Sequence, residues 1–446
     1  MRVAWREGIP DQRRGGTREL GLSHMIMLRA LFFAMAAGCL AGALAAERVC
    51  DPRSYGAHGD GATKDTLAIQ QAIDACAKDG GGTVRLSAGT YLSAPIVLKS
   101  NITLHLEKGA TLLGSPDHTD FPAKTEFRAP GLQSLVSATD ASSVAITGEG
   151  IIDGNGETWW EMARKIRDAG VLGNEHPRPR LVVFDHCKHV RIEGVTIQNS
   201  PMWQVVPYYS DDVVVRNVRV LAPPHSPNTD AVDPFSSSHV VIDHMYADVG
   251  DDNVAIKSGA INSPGPDAPS EDITITDCTF LHGHGLSVGS EIAGGARNIR
   301  AERIHFDGTD NGIRVKANRD RGNDVSHLSF RDIEMKNVKN AIVISEYYPK
   351  ILPPDGETAK PVTRLTPRFH DIVIESLTVQ DSASLGAIVG LPESPVAGVV
   401  LRNVKLSGKQ GLTISYAQVS GTGVVVDAHE GKPITEGPGA QVSLQH

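Results

Sequence analysis

The chain has 446 residues, 40% of them apolar and 21% charged. That balance supports a sizeable core and excludes a disordered tail or a collagen-like chain. Glycine is plentiful at 45 residues and aromatics make up only 5%, which suits many turns and layered small aliphatic side chains better than a helical bundle. The net charge of −9 argues against nucleic acid as a partner.

Residues 1–24 read as an upstream extension. From Met25 or Met27 the pattern is that of a secretory signal, with Arg29, an apolar run from Leu31 to Leu44, and Ala43-Leu44-Ala45 as a cleavage site. Ala36-Ala37-Gly38-Cys39 offers a rival lipoprotein processing site, weakened by Ala in its first position. The run is too short and Ala-rich for a membrane span, and no other stretch could cross one. The expectation is a signal over 1–45 and one domain over 46–446, secreted or periplasmic and monomeric. Cleavage removes six basic and three acidic side chains and moves the charge from −9 to −12.

Export permits disulfides. Cys50 and Cys76 bracket the first structural unit and are the expected pair. Cys187 and Cys278 sit in strand-like segments and read as small buried hydrophobes. Neither Cys-x-x-Cys nor His-x-x-x-His spacing occurs, so no metal site is expected.

The first unit includes a helix from Thr66, with Asp65 as its N-cap and Leu67, Ile69, Ile73 and Cys76 on its inner side. Gly80, Gly81 and Gly82 end it. Beyond it the dominant signal is repetition. An apolar-x-apolar-x-x-apolar-x-apolar template appears as VRIEGVTI from Val190, VVVRNVRV from Val213, VVIDHMYA from Val240 and ITITDCTF from Ile273. It continues as IRAERIHF from Ile299, LSFRDIEM from Leu328, IVIESLTV from Ile372 and VVLRNVKL from Val399, with a degenerate copy at Val144. The anchors from Val190 onward are 23 to 44 residues apart.

Alternation every two residues is strand periodicity, and the two-residue break is a bend between short strands. Such coils predict an all-β chain: a single-stranded right-handed parallel β-helix, with coils stacked at about 4.8 Å and the early helix capping its first, open end. A propeller needs four strands per repeat, and a helical repeat needs apolar spacings of three and four. Two interruptions, residues 156–180 and Pro349 to Pro367, are expected as loops walling one face.

Between the strand segments lie Asn228-Thr229-Asp230, Gly250-Asp251-Asp252, Gly283-His284-Gly285, Arg314-Val315-Lys316 and Tyr347-Tyr348. Alone, each is an ordinary turn, loop or solvated strand edge. In order, one per coil, they are more. Asp251 lies 11 residues after Val240 and His284 lies 11 after Ile273, so the two side chains should stack. Arg314 and Lys316 share one side of their strand. Three carboxylates, an imidazole, two cations and a phenol then occupy one strip of surface.

These motifs resemble those of the polygalacturonases of glycoside hydrolase family 28, and the similarity runs over nearly the whole mature chain. The stretch from Tyr55-Gly56-Ala57 to Gly80-Gly81-Gly82-Thr83 resembles the opening segment of many pectin-degrading β-helices. GDDNVAIKSG and GHGLSVGSE are similar to the bacterial branch. Ala231, Asn253 and Val315 depart from the usual Gly, Cys and Ile without removing a reacting group.

The resemblance implies hydrolysis of α-1,4-galacturonosidic bonds with inversion and without a cofactor. Asp251 matches the general acid, and Asp230 with Asp252 the pair that holds and activates water. Crowding these acids should raise at least one pKa. His284 matches a residue that tunes or orients the acid. Arg314 and Lys316 match binders of the substrate carboxylate, the first bidentate and the second a point charge. Asn228 and Tyr348 are further substrate-binding candidates, with Tyr347 the rival of Tyr348. A chain of this charge repels a polyanion at long range, so pectin binding must come from local cations. The alternatives are another family 28 hydrolase, acting on rhamnogalacturonan or substituted pectin, and a calcium-dependent pectate lyase. A non-catalytic carbohydrate-binding β-helix has no need of the clustered acids. Internal or terminal attack turns on whether the 156–180 and 349–367 loops close one end of the groove.

Overall fold

The computed structural model describes residues 48–169 and 176–445. The expected signal segment, with Met25, Met27 and Cys39, lies outside the described residues. From residue 48 the chain winds as a parallel β-helix. A coil lays strands on three faces in turn, as in Val205–Tyr208, Asp211–Arg216 and Arg219–Leu221. The repeated template occupies the second and third of these, and its break is the corner between them.

The anchors form one unbroken ladder. Val144 faces Val190, and the row passes through Val213, Val240, Ile273, Ile299, Leu328, Ile372 and Val399 to Val419. None is more than 2% exposed, so the ladder is the axis of the core. The uneven anchor spacing leaves this register untouched because the extra residues leave the stack between faces.

The fifth template residue supplies the corner. Asn217, His244, Asp277, Arg303, Asp332, Ser376 and Asn403 all have φ between 51° and 55°, and Gly194 has φ 81°. A single left-handed residue reverses the strand's direction within one position. It costs a residue with a Cβ about 1–2 kcal/mol, less for Asn and Asp, whose short side chains bond nearby backbone.

The cap helix is Thr66–Lys78, and it buries Ala68, Ile69, Ala72, Ile73 and Cys76. Ile69, Ile73 and Cys76 face inward as expected, whereas Leu67 is 70% exposed. Asp65 precedes the helix but does not cap it. Its carboxylate accepts the backbone N–H of His58 at 2.7 Å and of Gly59 at 2.9 Å, tying down the loop before the helix instead. The Cys50–Cys76 disulfide is present, and Cys187 and Cys278 are free and buried.

The 156–180 insertion is not a simple loop. It opens with a helix, Glu157–Asp168. The Pro349–Pro367 stretch carries no helix or strand. A third insertion escaped the sequence pattern: an antiparallel hairpin of Ala123–Glu126 and Ala129–Leu132. Among the described residues no helix is long and apolar enough to cross a membrane.

The corner geometry makes a direct prediction. Asn217→Val should lower unfolding stability by about 1–2 kcal/mol, because a β-branched residue cannot hold φ 53°, whereas Asn217→Gly should leave it unchanged or higher. Equal losses in chemical denaturation of the two variants would assign the effect to the lost side chain rather than the bend.

Candidate active site

One face of the β-helix brings the five motifs together. Val232, Val254, Leu286, Ile313 and Ile342 are successive cross-strand partners and point into the core. Their outward neighbours form the site. Asp230 and Asp252 are 2% and 1% exposed, and Asp251 and His284 sit at the rim with side chains 19% and 35% exposed.

The matched offsets do produce contact: His284 Nδ1 lies 2.9 Å from Asp251 Oδ1. Asp252 is held from three directions. Lys316 Nζ lies 2.7 Å from Oδ2, the Ser287 hydroxyl donates to Oδ1 at 2.7 Å, and Arg314 stands 3.6 Å from Oδ1. Lys316 is thus committed to Asp252 and only 6% exposed, while Arg314 is the freer cation. Tyr348 lies under both, with Arg314 at 5.7 Å and Lys316 at 5.4 Å from its ring centroid. Tyr347 turns away into a separate apolar cluster with Ala387, Val389 and Leu391. Tyr348 is therefore the cleft residue. Asn228 is exposed on the cleft wall and accepts from Arg178 at 2.6 Å.

Period-two alternation also projects residues that the motif reading passed over. Lys257, inside GDDNVAIKSG, follows Ala255 on the outward side. Its Nζ lies 3.6 Å from Asp230, 3.7 Å from Glu291 and 4.7 Å from the Trp203 ring centroid. Asp233 follows Val232 outward and is fully buried, with neither carboxylate oxygen hydrogen-bonded. Ser287 was legible by the same count.

Burial and neighbouring charge set the protons. Desolvation, and then the charge of Asp251, push Asp230 up to about 8. Desolvation and Asp230 likewise hold Asp233 well above the carboxylate range. Burial would lower Lys257, but Asp233, Asp230 and Glu291 outweigh it and raise it. Burial would also raise Asp251, yet the hydrogen bond and charge of His284 bring it to about 2. His284 is raised in return: burial opposes its charge, and Asp251 overcomes that. Burial first and crowding second do raise carboxylates, but Asp230 and Asp233 rather than Asp251, because His284 neutralises Asp251.

Two cavities of about 680 Å³ each meet at Asn228 and Asp251. The first contains Asp230, Asp252, Lys257 and Tyr348. The second contains His284, Asp310 and Lys339. Arg164 and Arg167 of the Glu157–Asp168 helix line both.

Residues 81–424 match the sequence profile of the glycosyl hydrolases family 28. The chain belongs to that family. It is 31% identical over 369 residues to a probable polygalacturonase of Vitis vinifera, covering 79% of this chain and 73% of that one. It is also 31% identical over 373 residues to an endo-polygalacturonase of Pectobacterium parmentieri, covering 79% of this chain and 87% of that one. Among solved structures it resembles a hyperthermoactive exopolygalacturonase from Thermotoga maritima, with TM-score 0.69 and 28% identity over 89% of this chain and 92% of that one. The protein is a glycoside hydrolase.

Asp251, Asp252 and His284 of this family 28 hydrolase each offer a ligand atom, all within 4.8 Å of one another. A cation there would have to displace Lys316 from Asp252 and a proton from His284. The donor set suits proton transfer better than metal binding.

Lys257→Met should destabilise the fold by about 3–5 kcal/mol, the usual result of removing one partner of a buried ion pair, here the cation that faces the charged Glu291 at 3.7 Å while Asp230 and Asp233 hold their protons. Thermal denaturation checks this. A melting temperature equal to that of the unmodified chain would mean that Glu291 does not need the cation.

Proposed function

We propose that this hydrolase cleaves the α-1,4-galacturonosidic bonds of polygalacturonate, as the names of its relatives suggest, and does so with inversion. The observation that carries the reading is Arg314 and Lys316 standing over Asp252 within a trio of acids. One site can then both seat a sugar carboxylate and cut the adjoining acetal. A calcium-dependent lyase needs acids free for the cation, and Asp252 is already countered by two side chains. An exported enzyme is part of the same proposal, resting on the pattern of residues 1–45 and on the Cys50–Cys76 disulfide.

In this mechanism Asp251 gives a proton to the bridging oxygen as the C1–O bond breaks. A water held by Asp230 bonds to C1 from the opposite face, and Asp252 takes the water's proton. In the empty cleft the proton of the Asp251–His284 pair rests on His284. Filling the cleft expels water, which favours the neutral acid and imidazole over the ion pair. The oxygens of Asp251 and Asp252 lie within 4.8 Å, closer than the roughly 6.5–9.5 Å of most inverting pairs. Inversion is favoured because a third acid, Asp230, lines the same cavity as Asp252 and can hold a water beside it, an acid for which a retaining pair has no use.

Asp230, protonated up to about pH 8 in the empty site, is the rival donor. Asp251→Asn and Asp230→Asn should therefore be compared on polygalacturonate and on a galacturonide with a good leaving group. The acid is the residue whose loss the better leaving group largely restores, and Asp251 is expected. Proton NMR on the first product should show the β-anomer; the α-anomer would rule out inversion.

The carboxylate role falls to Arg314, since Lys316 is bound to Asp252. Losing a desolvated ion pair costs about 2–5 kcal/mol. Arg314→Ala should thus lose far more kcat/KM on polygalacturonate than on a methyl-esterified oligomer, while Lys316→Ala should depress both. Equal losses for Arg314→Ala in a folded protein would point to another pectic substrate.

A further inference from the structure

The two cavities differ in what lies beyond them. The one holding His284 runs on past Gly308 and Asp310 to Lys339 in later coils. The one holding Asp230 and Asp252 crosses the same coils, to Lys316 and Tyr348, but it alone is stopped by the third insertion, whose Glu126, Phe127 and Ala129 line it. At the tip of that hairpin, Phe127 bends over the outer side of the site face. Its ring lies 4.4 Å from that of Tyr208 and, nearly parallel, 5.7 Å from that of Phe235. Arg180 stands 4.0 Å from the Phe127 centroid and pairs with Glu126 at 3.1 Å. Arg128 fastens the tip by donating to Asp267 at 3.1 Å and to the Tyr209 hydroxyl at 2.8 Å.

The floor beneath the tip is shut. Val183 and Val206 alternate with the inward Val182 and Val205, so they point out from the site face, yet they are 2% and 0% exposed. The coil of Val205 directly precedes that of Val232. The obstruction therefore begins one coil, about 4.8 Å, before the coil that carries Asp230.

The roles proposed above give the cleft a direction. Asp230 and Asp252 face only the stopped cavity, whereas Asp251 faces both. The carbon attacked by water then lies in the stopped cavity, and the leaving oxygen, with the rest of the chain, lies in the open one. We infer that the stopped cavity receives the non-reducing end of a galacturonan chain, and that the Phe127–Arg128 tip makes cleavage proceed from that end. This rests on the galacturonan reading and names the part of the polymer on which it acts.

The test uses the intact protein and decagalacturonate carrying a fluorophore at its reducing end, sampled at low conversion. Labelled chains should shorten by one fixed decrement, with unlabelled sugar as the only short product. Labelled chains of every length appearing together would mean internal cuts and would overturn the inference while leaving galacturonan hydrolysis intact. Early release of the label in a short fragment would overturn the direction. Absence of any cleavage by folded protein would remove the galacturonan reading and this inference with it. The second arm is the Phe127→Gly, Arg128→Gly double variant. Both positions have positive φ, 51° and 63°, which glycine accepts. The share of internal cuts should rise about tenfold, a relative barrier change of about 1.4 kcal/mol. An unchanged decrement in a folded double variant would show that the tip is not the stop. If the variant does not fold, the labelling pattern of the unmodified enzyme decides alone.

Discussion

Each coil must set its backbone donors and acceptors against those of the next at about 4.8 Å, and only one register does this while keeping the Val144-to-Val419 ladder buried. A slip of one residue would turn that ladder outward. The same register fixes the outward positions, so side chains far apart in sequence meet at contact distance. Asp251 and His284 are paired at 2.9 Å because their coils are stacked. No separate device is needed to position them.

Stacking also forces like charges together in a place that water barely reaches, and most of the site's other residues answer that difficulty. Asp230 and Asp233 share a buried patch and keep their protons, with Lys257 between them and Glu291. Asp252 is offset by Lys316 and Arg314, and Asp251 by His284. The acids thus enter the cleft in different protonation states although they share one chemistry. Environment, not residue type, divides their labour.

Much of this was legible before the structure. From Val190 onward the template located two of the three strands in each coil and the corner between them, and the motif positions followed. Three things were not. The direction of the pKa shift on Asp251 depends on a hydrogen bond whose length no spacing reveals. Asp65 looks like a helix cap in sequence, but the His58–Gly59 backbone competes for its carboxylate. The Ala123–Leu132 hairpin lies outside the repeat, and its role comes from a fold back across coils that local pattern does not encode. Lys257 and Asp233 belong to another class: alternation counted from Val254 and Val232 places both outward, and only the habit of reading motifs as units hid them.

The left-handed fifth residue separates two kinds of heritable change. Because the corner fixes the second and third strands of each coil against one another, a connection elsewhere in the coil can lengthen without moving either strand. Anchor intervals from 23 to 44 residues coexist with one register. The buried ladder lies in the rungs and the insertions lie in the connections, so drift in the second leaves the first intact. A lineage built on this scaffold can reshape the walls of its cleft by insertion and deletion while the core ladder keeps its register.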